Sequence, residues 1–222
     1  RLWRRALRYG FWFVNRYFIG WPLAKLILDY DVAGTEHIPL RGGCLLAANH
    51  FSYLDPPVIG IAAPRPASYM ARAELFRHPL FAALIRAYGA FPIRRDVTSV
   101  AGVKATLRKL AEGEMVLFFP EGTRTYDGDF QQPMTGAGLI AYEAAVPIIP
   151  AYVGGTWEAY PRGARFPRPG KVVIRFGEPL DLEALRRQPP NRELYRRIAA
   201  VIMEAIAGLR AAAAEGANGA RR

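Results

Sequence analysis

In the stretch Asn49-His50-Phe51-Ser52-Tyr53-Leu54-Asp55 a histidine and a carboxylate stand five residues apart. The run before it, Cys44-Leu45-Leu46-Ala47-Ala48, reads as a short buried strand. Asp55-Pro56-Pro57-Val58 reads as a helix start, with Asp55 at the N-cap and proline at the first helical position. His50 therefore belongs to a strand-to-helix loop. On one regular helix the two side chains would diverge, so the loop is what lets them meet. A carboxylate that accepts from one imidazole nitrogen leaves the other nitrogen as a base and stabilises the imidazolium that forms. Such a pair is suited to taking a proton from a hydroxyl.

A histidine beside a strand is by itself more often structural, and the reading gains weight from three further blocks. Val116-Leu117-Phe118-Phe119-Pro120-Glu121-Gly122-Thr123-Arg124 is an apolar strand breaking into a polar loop. Gly89-Ala90-Phe91-Pro92-Ile93-Arg94-Arg95-Asp96 lies between the two, and Val146-Pro147-Ile148-Ile149-Pro150-Ala151-Tyr152-Val153 follows. In this order and at these separations the four blocks resemble the motifs of the glycerolipid acyltransferase family, from Val32 to Phe176. The first and third blocks carry most of the specificity.

The resemblance implies transfer of a fatty acyl group from a thioester, acyl-coenzyme A or acyl-carrier protein, to the free hydroxyl of lysophosphatidic acid. The product would be phosphatidic acid, with no cofactor beyond the acyl donor. His50 would be the base and Asp55 its orienting partner, with Asn49, Ser52, Pro120 and Arg95 in support. Direct attack by the hydroxyl needs no nucleophilic serine, although Ser52 in the same loop offers a covalent alternative. Arg94 matches the family's phosphate-associated arginine, and guanidinium groups bind phosphate through paired, charge-assisted hydrogen bonds. Glu121, Gly122, Thr123 and Arg124 would contribute to acceptor binding. Arg72 stands where the family usually carries lysine, and Met134 stands where it often carries lysine before a glycine. Another lysolipid acceptor, or water acting in an acyl-thioester hydrolase, would use the same dyad.

The elements that must place these loops alternate. Strands are expected at Cys44–Ala48, Ala67–Met70, Val116–Phe119, Ile148–Val153 and Val172–Phe176. Helices are expected at Pro56–Ala62, Pro79–Tyr88, Thr98–Glu112, Gly136–Ala145 and Asn191–Leu209. The pattern predicts an α/β domain over residues 31–210 with a mixed, largely parallel sheet flanked by helices. Loops at the carboxyl ends of such strands gather at one edge. The alanine-rich stretch 211–222 is expected to be a disordered tail.

With 222 residues, 51% of them hydrophobic, the chain can bury one sizeable core. A formal net charge of +11 calls for an anionic partner. The basic and aromatic residues cluster at the N-terminus rather than alternating over the domain, which argues for a membrane surface and against nucleic acid. The lone Cys44 sits on an expected buried strand, as a reducing cytosol permits. Three scattered histidines and one cysteine form no metal-ligand cluster, and no metal is expected.

Residues 1–30 are distinct. On a helical wheel Arg1, Arg4, Arg5, Arg8, Asn15 and Arg16 fall within an arc of roughly 120°, facing away from Leu2, Trp3, Leu7, Phe13, Val14, Tyr17, Phe18 and Trp21. Trp12 and Ile19 break the pattern. No run of about 20 uninterrupted apolar residues occurs, since Arg16 and Lys25 interrupt the best candidate for a spanning helix. The segment is predicted to be an amphipathic helix lying on the cytoplasmic face of the cell membrane, arginines toward anionic headgroups and aromatic rings below. The alternative is a helix that packs its aromatic face on the domain.

Overall fold

Every residue of Cys44–Ala48 (β2) is buried, which suits a strand covered on both faces. In the computed structural model, which describes residues 2–93 and 100–219, β2 is the middle of a seven-stranded sheet. Its companions are Leu28–Ala33 (β1), Ala67–Arg72 (β3), Ala90–Ile93 (β4), Met115–Phe118 (β5), Ile148–Gly154 (β6) and Gly170–Phe176 (β7). Their order is β1-β7-β6-β2-β5-β3-β4, and all neighbours are parallel except β6 and β7. Leu46 stands beside Leu117 of β5 and Ile149 of β6. Because β5, β2 and β6 run the same way, the loops that follow them emerge at one edge.

The two faces of the sheet carry separate cores. Leu46 and Ala48 point to a layer with Val58, Ile59 and Ala62 of Asp55–Ala62 (α3). Leu45 and Ala47 point the other way. They meet Val103 and Leu110 of Val100–Ala111 (α5), Ile140 of Thr135–Glu143 (α6), and Ile198 and Ile202 of Arg192–Gly219 (α9). Alternation along a strand thus fills both layers, so the sequence shows continuous apolar runs. Helices α6 and α9 touch closely at Gly138, where a Cβ would stand 1.8 Å from the Tyr195 carbonyl oxygen.

The expected α/β architecture and mostly parallel sheet are present. Two edge strands escape the sequence pattern. β1 is only partly buried and holds Asp29 and Asp31, residues that strands usually avoid. Asp31 is satisfied by Arg175 of β7 at 2.8 Å. β4 has four residues, and its Pro92 is tolerated because an edge strand leaves backbone donors unpaired.

At the N-terminus the single expected helix is three pieces: Leu2–Val14 (α1), a π-helical stretch Asn15–Gly20, and Trp21–Ile27 (α2). The sheet begins at Leu28, inside the segment expected to be helical to residue 30. Packing explains the break. Trp12 Nε1 donates to the Gly60 carbonyl at 3.1 Å, Tyr88 Oη donates to Asn15 Oδ1 at 2.8 Å, and Arg16 donates to the Ala63 carbonyl. The polar side of this stretch therefore grips the domain, which accounts for Trp12 standing among the arginines. Phe13, Val14, Tyr17 and Phe18 are exposed. Among the described residues no helix is long and apolar enough to cross a membrane.

The C-terminal end also departs from expectation. Residues 211–219, expected to be disordered, continue α9. Alanine is the strongest helix former, so an alanine-rich run that follows a docked helix extends it. Residues 220–222 lie outside the described residues.

Candidate active site

Asp55 is the first residue of α3, preceded by Leu54 in helical geometry, so it does not cap the helix as the sequence suggested. Its carboxylate turns back into the loop instead. Oδ2 accepts from the backbone N–H of Phe51 at 2.6 Å and of Ser52 at 2.7 Å, and lies 2.8 Å from Nδ1 of His50. The residue is fully buried. The histidine ring stacks on Phe119, centroids 3.9 Å apart and planes 14° from parallel. With Nδ1 turned to the carboxylate and one face covered, Nε2 is the nitrogen left to meet a substrate; the side chain is 17% exposed.

The loop after β5 clasps the histidine from both sides. His50 N–H donates to Glu121 Oε1 at 2.8 Å, and the His50 carbonyl accepts from Thr125 N–H at 2.8 Å. The other oxygen of Glu121 accepts from Gln131 N–H at 2.6 Å. Burial pushes the Glu121 carboxyl up to about 7, against the pull of the Gln131 and His50 donors. Gly122 has φ +66°, and a Cβ there would stand 2.0 Å from Sδ of Met134. The sulfur thus fills the space beside the turn.

Asn49 is buried and exchanges two hydrogen bonds with the Val153 backbone, donating and accepting at 2.8 Å, which ties the ends of β2 and β6 together. Ser52 Oγ donates to the Tyr160 carbonyl at 2.7 Å and accepts from Leu54 N–H. The residue is fully buried and its hydroxyl is committed to these two backbone partners. Pro120 offers its carbonyl to Met134 N–H at 2.8 Å. Thr123 makes a long contact to the Arg124 carbonyl, 3.5 Å. Arg124 lays its guanidinium on the Tyr53 ring, 3.3 Å from the centroid. Arg94 and Arg95 lie outside the described residues.

Thr125, Gln131 and Phe119 build the site and carried no role in the sequence reading. Thr125 Oγ1 holds the turn closed through Asp127, Gly128 and the Asp129 carbonyl. The succession Thr125-Tyr126-Asp127-Gly128-Asp129 is a signal for such a turn, since short polar side chains bond nearby backbone there. Cys44 is buried at the far end of β2 and its thiol is pushed up to about 11 by burial. His37 bonds the Phe176 carbonyl at 2.9 Å and His78 caps Pro79–Ala87 (α4), so both are structural.

A buried carboxylate that orients an imidazole, with the second ring nitrogen turned outward, can take a proton from a hydroxyl or from water. The fold and this loop edge define an α/β scaffold that carries a His–Asp pair at the carboxyl ends of its parallel strands. Residues 29–154 match the acyltransferase family, and the chain belongs to it. A 1-acyl-sn-glycerol-3-phosphate acyltransferase of Bacillus subtilis is 29% identical over 73% of this chain and 79% of its own length. One from Streptococcus pneumoniae is 31% identical over 69% of this chain and 56% of its own. The fold is that of PlsC, the 1-acyl-sn-glycerophosphate acyltransferase of Thermotoga maritima. The TM-score is 0.69 and identity 24%, covering 94% of this chain and 97% of that one.

Proposed function

We propose that this acyltransferase moves a fatty acyl group from an acyl thioester to the free hydroxyl of lysophosphatidic acid, giving phosphatidic acid at an anionic membrane surface facing the cytoplasm. The observation that carries this reading is the 2.8 Å contact between His50 Nδ1 and the buried Asp55 carboxylate, which aims Nε2 outward. Nε2 takes the proton of the acceptor hydroxyl as its oxygen attacks the thioester carbonyl. Asp55 stays ionised and stabilises the imidazolium. The tetrahedral intermediate then expels the thiolate, which leaves as thiol with the proton from His50. Glu121 serves the reaction by holding the His50 N–H, Gly122 forms the turn that follows it, and the arginines receive the phosphate. The names of the bacterial relatives support the choice of acceptor.

The test uses purified protein and His50→Ala in mixed micelles, each given palmitoyl-coenzyme A or palmitoyl-carrier protein, with and without lysophosphatidic acid. The expected result is phosphatidic acid only with intact His50 and added acceptor, and the better donor is the one that turns over. Free fatty acid released without acceptor would make the protein a thioester hydrolase. No transfer to lysophosphatidic acid with either donor would send the search to other lysolipids.

A further inference from the structure

Three guanidinium groups, from the end of one strand and the segments after two others, stand around two tyrosines at the edge that holds His50. Arg72 closes β3, Arg124 follows β5, and Arg162 lies in the segment after β6 and the short helix Thr156–Ala159 (α7). Arg124 covers Tyr53 at 3.3 Å, and Arg162 covers Tyr126 at 4.2 Å. The segment bearing Arg162 is fastened to the histidine loop, because Ser52 Oγ donates to the carbonyl of Tyr160, two residues before it. Tyr53 and Tyr160 rings lie 6.4 Å apart, closing the same join.

Arg124 feels the charges of the other two. The Arg124 guanidinium is lowered by burial, raised by Tyr53, lowered again by the charges of Arg162 and Arg72, and raised by the more distant Asp55 carboxylate, with which it forms no ion pair. Tyr126 is lowered by its hydrogen bond with Arg162, by the charge of Arg162, and further by Thr123 and Arg72. Among the described residues no ion pair to a carboxylate is present for Arg72, Arg124 or Arg162. Like charges gathered without a directly paired carboxylate are stable only if an anion or solvent separates them. Aromatic faces hold two of the guanidinium groups by cation–π attraction, which keeps them ordered while leaving their N–H edges for a ligand. A phosphate monoester carries close to two charges at neutral pH and accepts several such N–H groups.

We propose that Arg162 is the third arm of a phosphomonoester clamp, joining Arg72 and Arg124 to hold the phosphate of a substrate beside His50. This rests on the acyl-transfer reading above. Two substrates can bring a phosphate monoester: the lysophosphatidic acid acceptor, or the coenzyme A donor through its ribose phosphate. Arg162 approaches from the same segment that Ser52 ties to the histidine loop, so the clamp and the base are held in one frame.

Initial rates of Arg162→Ala, Arg162→Lys and Arg165→Ala would be compared with the unaltered protein, in neutral-detergent micelles. Lysophosphatidic acid is varied at saturating donor, and palmitoyl-coenzyme A at saturating acceptor. Arg165 is the control: it neighbours Arg162 in sequence but lies over Phe166, 5.6 Å from the ring centroid. Loss of a charge-assisted contact predicts that Arg162→Ala raises one of the two KM values about ten- to a hundredfold while kcat holds within a few-fold. Arg162→Lys recovers part of this, and Arg165→Ala matches the unaltered protein. A rise confined to lysophosphatidic acid names the acceptor as the phosphate bound, and one confined to palmitoyl-coenzyme A names the donor. Unchanged KM values, or an equal rise in Arg165→Ala, would overturn the proposal. Should the unaltered protein transfer nothing to lysophosphatidic acid, thermal stabilisation by millimolar glycerol 3-phosphate still reads the clamp. Stabilisation that Arg162→Ala loses would sustain it, and stabilisation absent from the unaltered protein or equal in the two would refute it.

Discussion

His50 and Glu121 are joined through the backbone of one and the side chain of the other: the His50 N–H donates to Glu121 Oε1 at 2.8 Å. The second carboxylate oxygen is occupied by Gln131 N–H, so Glu121 spends both oxygens on protein donors. Its place in the site is that of a strut beneath the His50 backbone. Glu121→Gln turns an amide N–H toward one of two backbone donors and loosens the loop. The expected outcome is a fall in kcat of about ten- to a hundredfold with little change in KM for the acceptor, at the scale of one broken charge-assisted hydrogen bond. A rise in acceptor KM at constant kcat would mean that Glu121 touches the acceptor directly.

The same carboxylate makes stability depend on pH. Burial raises it from 4.5 to about 7, so the folded chain holds this proton more tightly than the unfolded chain does. Its contribution is therefore full below the unfolded value and is lost as pH rises through the folded value. Subtracting the Glu121→Gln unfolding curve from that of the unaltered protein cancels the titration of the other carboxylates. The difference should fall between pH 4.5 and about 7 and be level above it. A flat difference would place the Glu121 carboxyl in its ordinary range.

Asp55→Asn tests orientation. Oδ2 receives three donors, from His50, Phe51 and Ser52, and an amide oxygen can still serve the two backbone groups. It cannot stabilise an imidazolium, so acyl transfer should drop by roughly 10²–10⁴-fold with the fold retained. Ser52→Ala separates direct attack from an acyl-enzyme. The buried Oγ is committed to the Tyr160 carbonyl, so its loss should lower activity far less than Asp55→Asn and leave no change in kinetic order. Trapping of acyl-serine by mass spectrometry would reverse that assignment.

Gly122 is constrained twice, by φ +66° and by Met134 Sδ, which would stand 2.0 Å from an added Cβ. Gly122→Ala should destabilise the protein by about 1–3 kcal/mol in chemical denaturation. Shortening the neighbour in Gly122→Ala/Met134→Ala removes the clash and leaves the backbone strain. The double variant should then recover less than the whole loss once the cost of Met134→Ala alone is subtracted. Full recovery would mean that the backbone tolerates the left-handed turn.

Much of this arrangement is legible in the residues, and the parts that are not share a physical cause. The strands β2, β5 and β6 announce themselves because both faces are buried and the apolar runs are unbroken. The edge strands β1 and β4 do not, since half-exposed positions admit aspartate and proline. The pairing of His50 with Asp55 follows from spacing, yet the direction of the Asp55 carboxylate does not. Helix-start chemistry suggests a cap, whereas the buried loop amides of Phe51 and Ser52 capture it. Likewise Glu121 reads as a ligand-binding carboxylate in a polar loop. Only the parallel neighbours β2 and β5 bring it under the His50 amide, a contact spanning 71 residues of chain.

The N-terminal segment gives the last prediction, because it docks through its polar side and not, as the alternative expected, through its aromatic face. Asn15 and Arg16 bond the domain, while Phe13 and Phe18 are 51% and 70% exposed. Rings left in water beside a chain of net charge +11 suit the interface of an anionic bilayer, where each buried phenyl group contributes about 1.5–3 kcal/mol. Phe13→Ser/Phe18→Ser should therefore weaken co-sedimentation with phosphatidylglycerol-containing vesicles at least about tenfold without lowering the unfolding midpoint. Arg16→Ala should do the reverse, lowering the midpoint through the lost contact to Ala63 more than it weakens vesicle binding. Equal vesicle binding by the phenylalanine variant would assign the aromatic face to a protein partner instead of lipid.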